Sequence, residues 1–267
     1  MPEIYQPTAE DKQRLKMREG MFKVSGDQIF ATLQGEGVTA GEPAVFLRLH
    51  FCNLACGKNG GWQCDTGYTW DTRREDFWKE PIDWSIAQTA ENIRAEWEKT
   101  PWEEKFQKDG KASKKRVVVT GGEPTLQQAK IIEITKLLPD WAFEIETNGT
   151  IAPRPELINC QINCSPKLSN SGNAKERRYK PDVLKAINAM PNSWFKFVAL
   201  DPKDFEEIDQ MVQECGLDPK KILIMPEGYT KDNVDEHRTL VEEEVKKRGW
   251  NFTMRNQLIW FGPKRRT

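Results

Sequence analysis

Apolar residues fall along this chain in two rhythms, and the change from one to the other marks out its elements. Lys23 to Leu33 alternates apolar and polar positions, the period of a half-buried strand or hairpin. Gln34-Gly-Glu-Gly37 follows as a glycine-punctuated turn, and Val45 to Leu49 reads as a second strand. Between Ile86 and Trp97 the period lengthens, placing Ile86, Ala90, Ile93 and Trp97 on one helix face. From Arg116 onward short apolar runs alternate with amphipathic ones. The pattern predicts strands at Val117–Thr120, Phe143–Glu146, Gln161–Ser165, Phe195–Leu200, Ile222–Met225 and Asn251–Met254. It predicts helices at Leu126–Leu138, Pro181–Ala189, Phe205–Cys215 and Lys231–Arg248. Such alternation implies an α/β fold with a mostly parallel sheet and crossover helices, either doubly wound or an incomplete barrel. In these folds the site lies beyond the carboxyl ends of the strands.

The chain has 267 residues, which fits a single domain with a substantial core. Residues 1–20 read as an N-terminal arm, helical around Asp11 to Arg18, and residues 99–115 as a charged surface excursion without apolar pattern. A formal net charge of −1 gives no basic excess for nucleic acid or an anionic membrane surface. No apolar run approaches a membrane span, and Met1 to Arg18 lacks the apolar stretch of a signal peptide. The six cysteines therefore point to a reducing compartment, the cytoplasm, where thiols bind metal or stay free.

Three of those cysteines, Cys52, Cys56 and Cys64, occur within thirteen residues of a Gly- and Asn-rich loop that follows the Val45–Leu49 strand. A closed structural zinc site takes four ligands. An iron–sulfur cube held by three thiolates leaves one iron open for a substrate or cofactor. The Val117–Thr120 strand ends in Thr120-Gly-Gly-Glu-Pro124. Two glycines after a strand admit a closely approaching ligand and offer free N–H groups to a carboxylate; Pro124 suits the first turn of the next helix.

A three-cysteine loop followed by Gly-Gly-Glu-Pro resembles the radical S-adenosylmethionine (SAM) superfamily. Further motifs narrow the resemblance: Leu33-Gln-Gly-Glu-Gly37, Phe46-Leu-Arg48, Cys64-Asp-Thr66, Glu146-Thr-Asn-Gly149, Ser165-Pro-Lys167, Lys196-Phe-Val198 and Pro226-Glu-Gly228. In this order, over roughly residues 22 to 262, they resemble the 7-carboxy-7-deazaguanine synthases. One feature departs from that family's usual Cys-x3-Cys-x2-Cys pattern: here the second gap holds seven residues, Gly57 to Gln63. The adjoining Asp65-Thr66 still matches, which keeps Cys64 as the third ligand.

The resemblance implies an incomplete TIM-like barrel and a lyase. That enzyme would convert 6-carboxy-5,6,7,8-tetrahydropterin to 7-carboxy-7-deazaguanine with loss of ammonia. Cys52, Cys56 and Cys64 would hold a [4Fe–4S] cluster, and Thr66 would donate an oxygen to Mg2+ beside the substrate carboxylate. SAM would meet Gln63, Asp65, Gly122, Glu123, Asn148, Ser165, Pro166 and Lys167. The pterin would meet Leu33, Gln34, Gly35, Glu36, Arg48, Thr120 and Gln257, with Glu146 as the catalytic carboxylate. A carboxylate suits a guanidinium fork, and a pterin edge needs both donors and acceptors. An electron donor such as a flavodoxin and a homodimer are further implied. Two other readings of the same residues are a radical-SAM activase working on a protein partner and a non-catalytic zinc-binding module. Cys160, Cys164 and Cys215 read as buried free thiols, since four-apart residues on a strand are too far separated for one small metal site. His50 and His237 read as bystanders, and the tryptophans as packing residues.

Overall fold

The structure, a computed structural model, describes residues 4–102 and 115–266. Most of the expected excursion, and the first three residues of the arm, fall outside them. One nine-stranded sheet carries the chain in the order β3-β1-β2-β4-β5-β6-β7-β8-β9. Its strands are β1 (Met21–Leu33), β2 (Pro43–Leu49), β3 (Ile82–Ser85), β4 (Arg116–Gly121), β5 (Ala142–Thr147), β6 (Gln161–Cys164), β7 (Ser193–Ala199), β8 (Ile222–Pro226) and β9 (Asn251–Phe252). From β2 to β9 every neighbouring pair is parallel. Chain order equals spatial order throughout that run, so there is no reversal point of the doubly wound kind. The sheet instead curls the way an α/β barrel does and stops short of closing, with β3 and β9 as separate edges.

The antiparallel start has a consequence for the site. β1 pairs antiparallel with β2, Leu33 opposite Pro43. The Gln34–Gly37 turn therefore leaves β1 at the end of β2 opposite the cysteine loop, not beside it. β3, four half-buried residues that show no clear alternation, adds an antiparallel edge that the sequence pattern did not reveal.

The helices start and stop where their chemistry dictates. α1 (Ala9–Arg14) is closed by a Thr8–Asp11 capping box and ends four residues before the expected Arg18. α2 (Glu75–Lys79) is a single short turn, and α3 (Ile86–Glu98) is capped by Ser85. α4 (Gln128–Leu137) begins after a 3-10 turn over Pro124–Gln127 that uses the first residues of the expected helix. α5 (Lys175–Arg178) and α6 (Pro181–Asn188) link β6 to β7. α7 (Pro202–Cys215) has an Asp201–Asp204 capping box with Pro202 in the first turn, and a left-handed Gly216 ends it. α8 (Lys231–Arg248) and α9 (Asn256–Phe261) complete the chain.

The core lies between the sheet and this outer helical layer. Ile93 and Trp97 of α3 pack with Val117, Val119, Ile131 and Ile134 in one contiguous cluster. Trp97 meets Trp102 and Trp141 edge-on, with ring centroids 5.2 Å and 5.6 Å away. Cys160, Cys164 and Cys215 are buried in the same cluster, and burial pushes the Cys160 thiol up to about 11. His50 is buried against Phe51 and Phe77; burial first, then the Lys23 charge, lowers its pKa to about 3, so it packs as a neutral ring. Replacing Trp97 with Ala should cost about 3–5 kcal/mol of stability by denaturant unfolding. A loss below about 1 kcal/mol would mean that this aromatic cluster does not anchor the helix.

Candidate active site

The cysteine loop is held by backbone contacts that only glycine permits. Gly122 N donates to Leu49 O at 3.1 Å and Glu123 N to Phe51 O at 2.8 Å, so the turn after β4 lies directly against the end of β2. A Cβ on Gly121 would overlap the Leu49 backbone, and one on Gly122 would overlap the Phe51 carbonyl. The glycine pair thus serves the approach of one strand end to another before it serves any ligand. Phe51, immediately before Cys52, sits at φ +78°, a left-handed conformation unusual for a bulky residue. The Glu123 carboxylate is fully buried and accepts from Thr125 N (2.9 Å), Thr125 Oγ1 (2.6 Å), Thr147 Oγ1 (2.8 Å) and Asn148 N (2.6 Å). It pins the β4 turn to the end of β5. Burial raises its pKa, and these donors oppose that rise.

Cys52, Cys56 and Cys64 are free thiols and line one cavity of about 310 Å³. Asn148 Nδ2 lies 3.8 Å from Cys52 Sγ and Asn173 Nδ2 3.2 Å from Cys56 Sγ, while Thr66 Oγ1 is 3.4 Å from Cys64 Sγ. The enlarged part of the loop is docked on the segment after β6. Gly57 N donates to Ser171 O (3.0 Å), Trp62 N to Asn170 O (3.1 Å) and Trp62 Nε1 to Asn170 Oδ1 (3.0 Å). Asn173 Oδ1 also accepts from Ala55 N at 2.9 Å. Trp62 thereby lies 5.6 Å from the Lys167 ammonium, whose other contact is Ser165 Oγ at 2.8 Å.

Among the described residues, no group of three or more His, Cys, Asp or Glu side chains is gathered as one metal ion requires. A cube asks for a different arrangement, because each thiolate binds its own iron and the ligands ring the cluster. Three unbridged thiols around a cavity, two of them facing amide donors, fit that requirement in donor type and placement.

Below the thiols the cavity becomes an ionic pocket. Lys196 Nζ lies 2.6 Å from Glu36 Oε2 and 3.1 Å from Glu146 Oε2, and the lysine side chain is only 8% exposed. Glu146 also accepts from Asn163 (2.9 Å) and Gln34 (3.4 Å); Glu36 also accepts from Gln257 (2.7 Å) and Arg255 (3.2 Å). Burial alone would raise the Glu36 pKa, but Lys196, Arg255 and the donated hydrogen bonds outweigh it and bring the pKa to about 2. The same two carboxylates raise Lys196 against its own burial, so the ammonium stays charged. Arg48, opposite Thr120 in the β2–β4 register, stacks its guanidinium 5.5 Å from the Phe30 ring centre.

Of the site residues expected from sequence, Leu33, Gln34, Gly35, Glu36, Arg48, Thr120, Glu146 and Gln257 line this cavity together with Cys52, Cys56, Gln63, Cys64, Asp65, Thr66, Gly122, Asn148, Ser165 and Lys167. Glu123 and Pro166 are not among its lining residues. Thr66 Oγ1 donates to Gly121 O at 3.3 Å. Lys196, Arg255, Trp62 and Asn173 were not singled out as site residues. Lys196 stood in a recognised Lys-Phe-Val motif and Arg255 beside Gln257, so position in the motif was the available signal for both. Nothing in the local pattern marked Asn173, which acts across 117 residues of chain.

An incomplete barrel that carries a three-thiol loop over a polar pocket is the arrangement expected of a radical SAM enzyme. No protein-family model matches it. The chain is 30% identical over 255 residues to the 7-carboxy-7-deazaguanine synthase of Rhodopirellula baltica, covering 90% of this chain and 87% of that protein. It is likewise 30% identical over 233 residues to the enzyme of that name in Escherichia coli K12, covering 85% and 94%. With the one from Pyrobaculum aerophilum it shares 29% over 242 residues, covering 89% and 95%. The crystal structure of QueE from Escherichia coli superposes with a TM-score of 0.61 at 24% identity, over 93% of this chain and 99% of that one, a likeness of fold. The chain belongs to the 7-carboxy-7-deazaguanine synthase family.

Two outcomes follow from this geometry. Gly122→Ala should lower the thermal midpoint and the iron retained after reconstitution, because the strand ends must separate to admit the methyl group; an unchanged midpoint would refute the close-approach role. Glu36 has a depressed folded pKa, so its stabilisation is complete above its ordinary value of 4.5 and is lost as pH falls toward about 2. The gap in thermal midpoint between the native chain and Glu36→Gln should therefore close over that window. A gap that widens on acidification would contradict the assignment.

Proposed function

We propose that this chain is a 7-carboxy-7-deazaguanine synthase, a carbon–nitrogen lyase that takes 6-carboxy-5,6,7,8-tetrahydropterin to 7-carboxy-7-deazaguanine and releases ammonia. The observation that carries this reading is the placement of three free thiols and the Glu36–Lys196–Glu146 ionic pocket on one cavity. Family membership supports the same conclusion.

Cys52, Cys56 and Cys64 would hold a [4Fe–4S] cluster. When bound, the cluster and SAM supply the radical that abstracts a substrate hydrogen atom. Gln63, Asp65, Gly122, Asn148, Ser165 and Lys167 stand around the same opening and suit the polar groups of SAM. Glu123 and Pro166 contribute by shaping the turns that carry them. The Glu123 carboxylate is already committed to Thr125, Thr147 and Asn148.

On the pterin side, Glu36 and Glu146 would accept hydrogen bonds from the ring and its exocyclic nitrogen, while Gln34 and Gln257 would orient it. Arg48 offers a guanidinium to the carboxylate. Glu146 sits one residue from the end of β5, paired with Lys196, and would hold or move a proton at the substrate. Thr66 would give its hydroxyl oxygen to a Mg2+ ion that also takes the substrate carboxylate. A one-electron donor such as a flavodoxin, a homodimer and a cytoplasmic setting complete the reading. No helix among the described residues is long and apolar enough to cross a membrane.

The test is an anaerobic assay with iron–sulfide-reconstituted protein, SAM, dithionite, Mg2+ and the carboxylated tetrahydropterin, reading ammonia and product. A broad visible absorbance and turnover are expected, and Cys64→Ala should remove both. Turnover retained by Cys64→Ala would discard that ligand. A colourless protein with bound zinc and no turnover would discard the function.

A further inference from the structure

We propose that Arg255 is a positioning residue that locks the pterin end of the cavity to the cysteine loop, holding Glu36 in register with Asp65. The proposal rests on the reading above for what each end binds. Among the described residues no ladder joins the sheet edges β3 and β9, so the open side of the barrel is spanned by other contacts. The segment after β9 provides them. Gly37 N donates to Thr253 Oγ1 at 2.8 Å, and Asn256 N to Gly35 O at 3.0 Å. A Cβ on Gly35 would overlap the Gln257 side chain, which shows how closely the two segments meet.

Arg255 stands at the centre of this seam. Its Nε donates to Glu36 Oε1 at 3.2 Å, its Nη1 to the Gly228 carbonyl at 2.6 Å, and its Nη2 to Asp65 Oδ2. The side chain is 14% exposed, Glu36 16% and Asp65 49%. A planar fork fixed at three points transmits displacement in a way that a single flexible ammonium does not. Asp65 adjoins Cys64; Lys196 holds the other Glu36 oxygen, Oε2, and Gln257 shares Oε1 with Arg255. A shift of the cysteine loop at Asp65 is therefore felt at the pterin-side carboxylate of Glu36 through one guanidinium.

The experiment uses reconstituted holoenzyme, with iron content and thermal midpoint recorded for every variant. Arg255→Gln should raise the pterin KM about tenfold with iron content unchanged, and Arg255→Lys should recover part of the loss. Asp65→Asn should raise the pterin KM about threefold, less because the pair is half open to solvent. The double variant should be no worse than Arg255→Gln alone. Multiplying effects, or an Asp65→Asn change confined to the SAM KM, would overturn the proposal.

A second cycle needs no turnover and separates this inference from the assigned reaction. In thermal unfolding, Asp65→Asn and Glu36→Gln should be coupled in the native background and additive in Arg255→Gln. Additivity in the native background overturns the lock whatever the enzyme's substrate proves to be. Native holoenzyme without pterin turnover, but with this coupling intact, would overturn the assigned reaction and leave the lock standing.

Discussion

Lys196 between Glu36 and Glu146 is the interaction around which the cavity is built. Three charges share a nearly dry interior, and taking each from water costs several kcal/mol unless partners surround it. They do: Gln34 and Asn163 on Glu146, Gln257 and Arg255 on Glu36. Such a cluster is weak support for stability, because an apolar core of the same volume is often as stable or more so. Its value lies in fixing carboxylate acceptors in place around the cavity. The strands on either side are held to that arrangement by the cost of leaving any member without its partner.

The mouth above it obeys a different constraint, close approach of backbone. β2, β4 and β5 end side by side, and Gly121 and Gly122 let the β4 turn settle onto the carbonyls of Leu49 and Phe51. Glu123 then binds that turn to Asn148 at the end of β5. The left-handed Phe51 starts the cysteine loop at an angle that the flanking hydrogen bonds enforce. A rigid frame of this kind fixes where the loop begins, which a loop holding three thiols around one space needs.

The seven residues between Cys56 and Cys64 would leave many backbone groups exposed if they stood free. The loop instead lies on Asn170–Asn173, with glycines at φ +83°, +96° and +87° making the turns. Trp62 closes over Lys167, so the insertion becomes part of the cavity wall. An enlarged loop is tolerated because its added polar groups find partners on the 3-10 turn Ser169–Ser171 that follows β6.

Local rules decided much of this protein in advance. Strand and helix periods, the thiol loop and the Gly-Gly turn depend on residues near one another in the chain and were legible as written, although α7 starts at Pro202, ahead of the expected Phe205. Tertiary structure decided what depends on pairing across distance. β1 runs antiparallel, and β3 closes an edge with only four residues. The Gly-Gly pair faces a strand end, and Glu123 is consumed within the fold. Lys196 meets Glu36 across 160 residues, and Arg255 meets it across 219. A side chain's type shows what it can bond to, but the curvature of the sheet determines which distant partner it reaches. That is why the chemistry could be read along the chain, whereas the wiring of the pocket had to be seen in three dimensions.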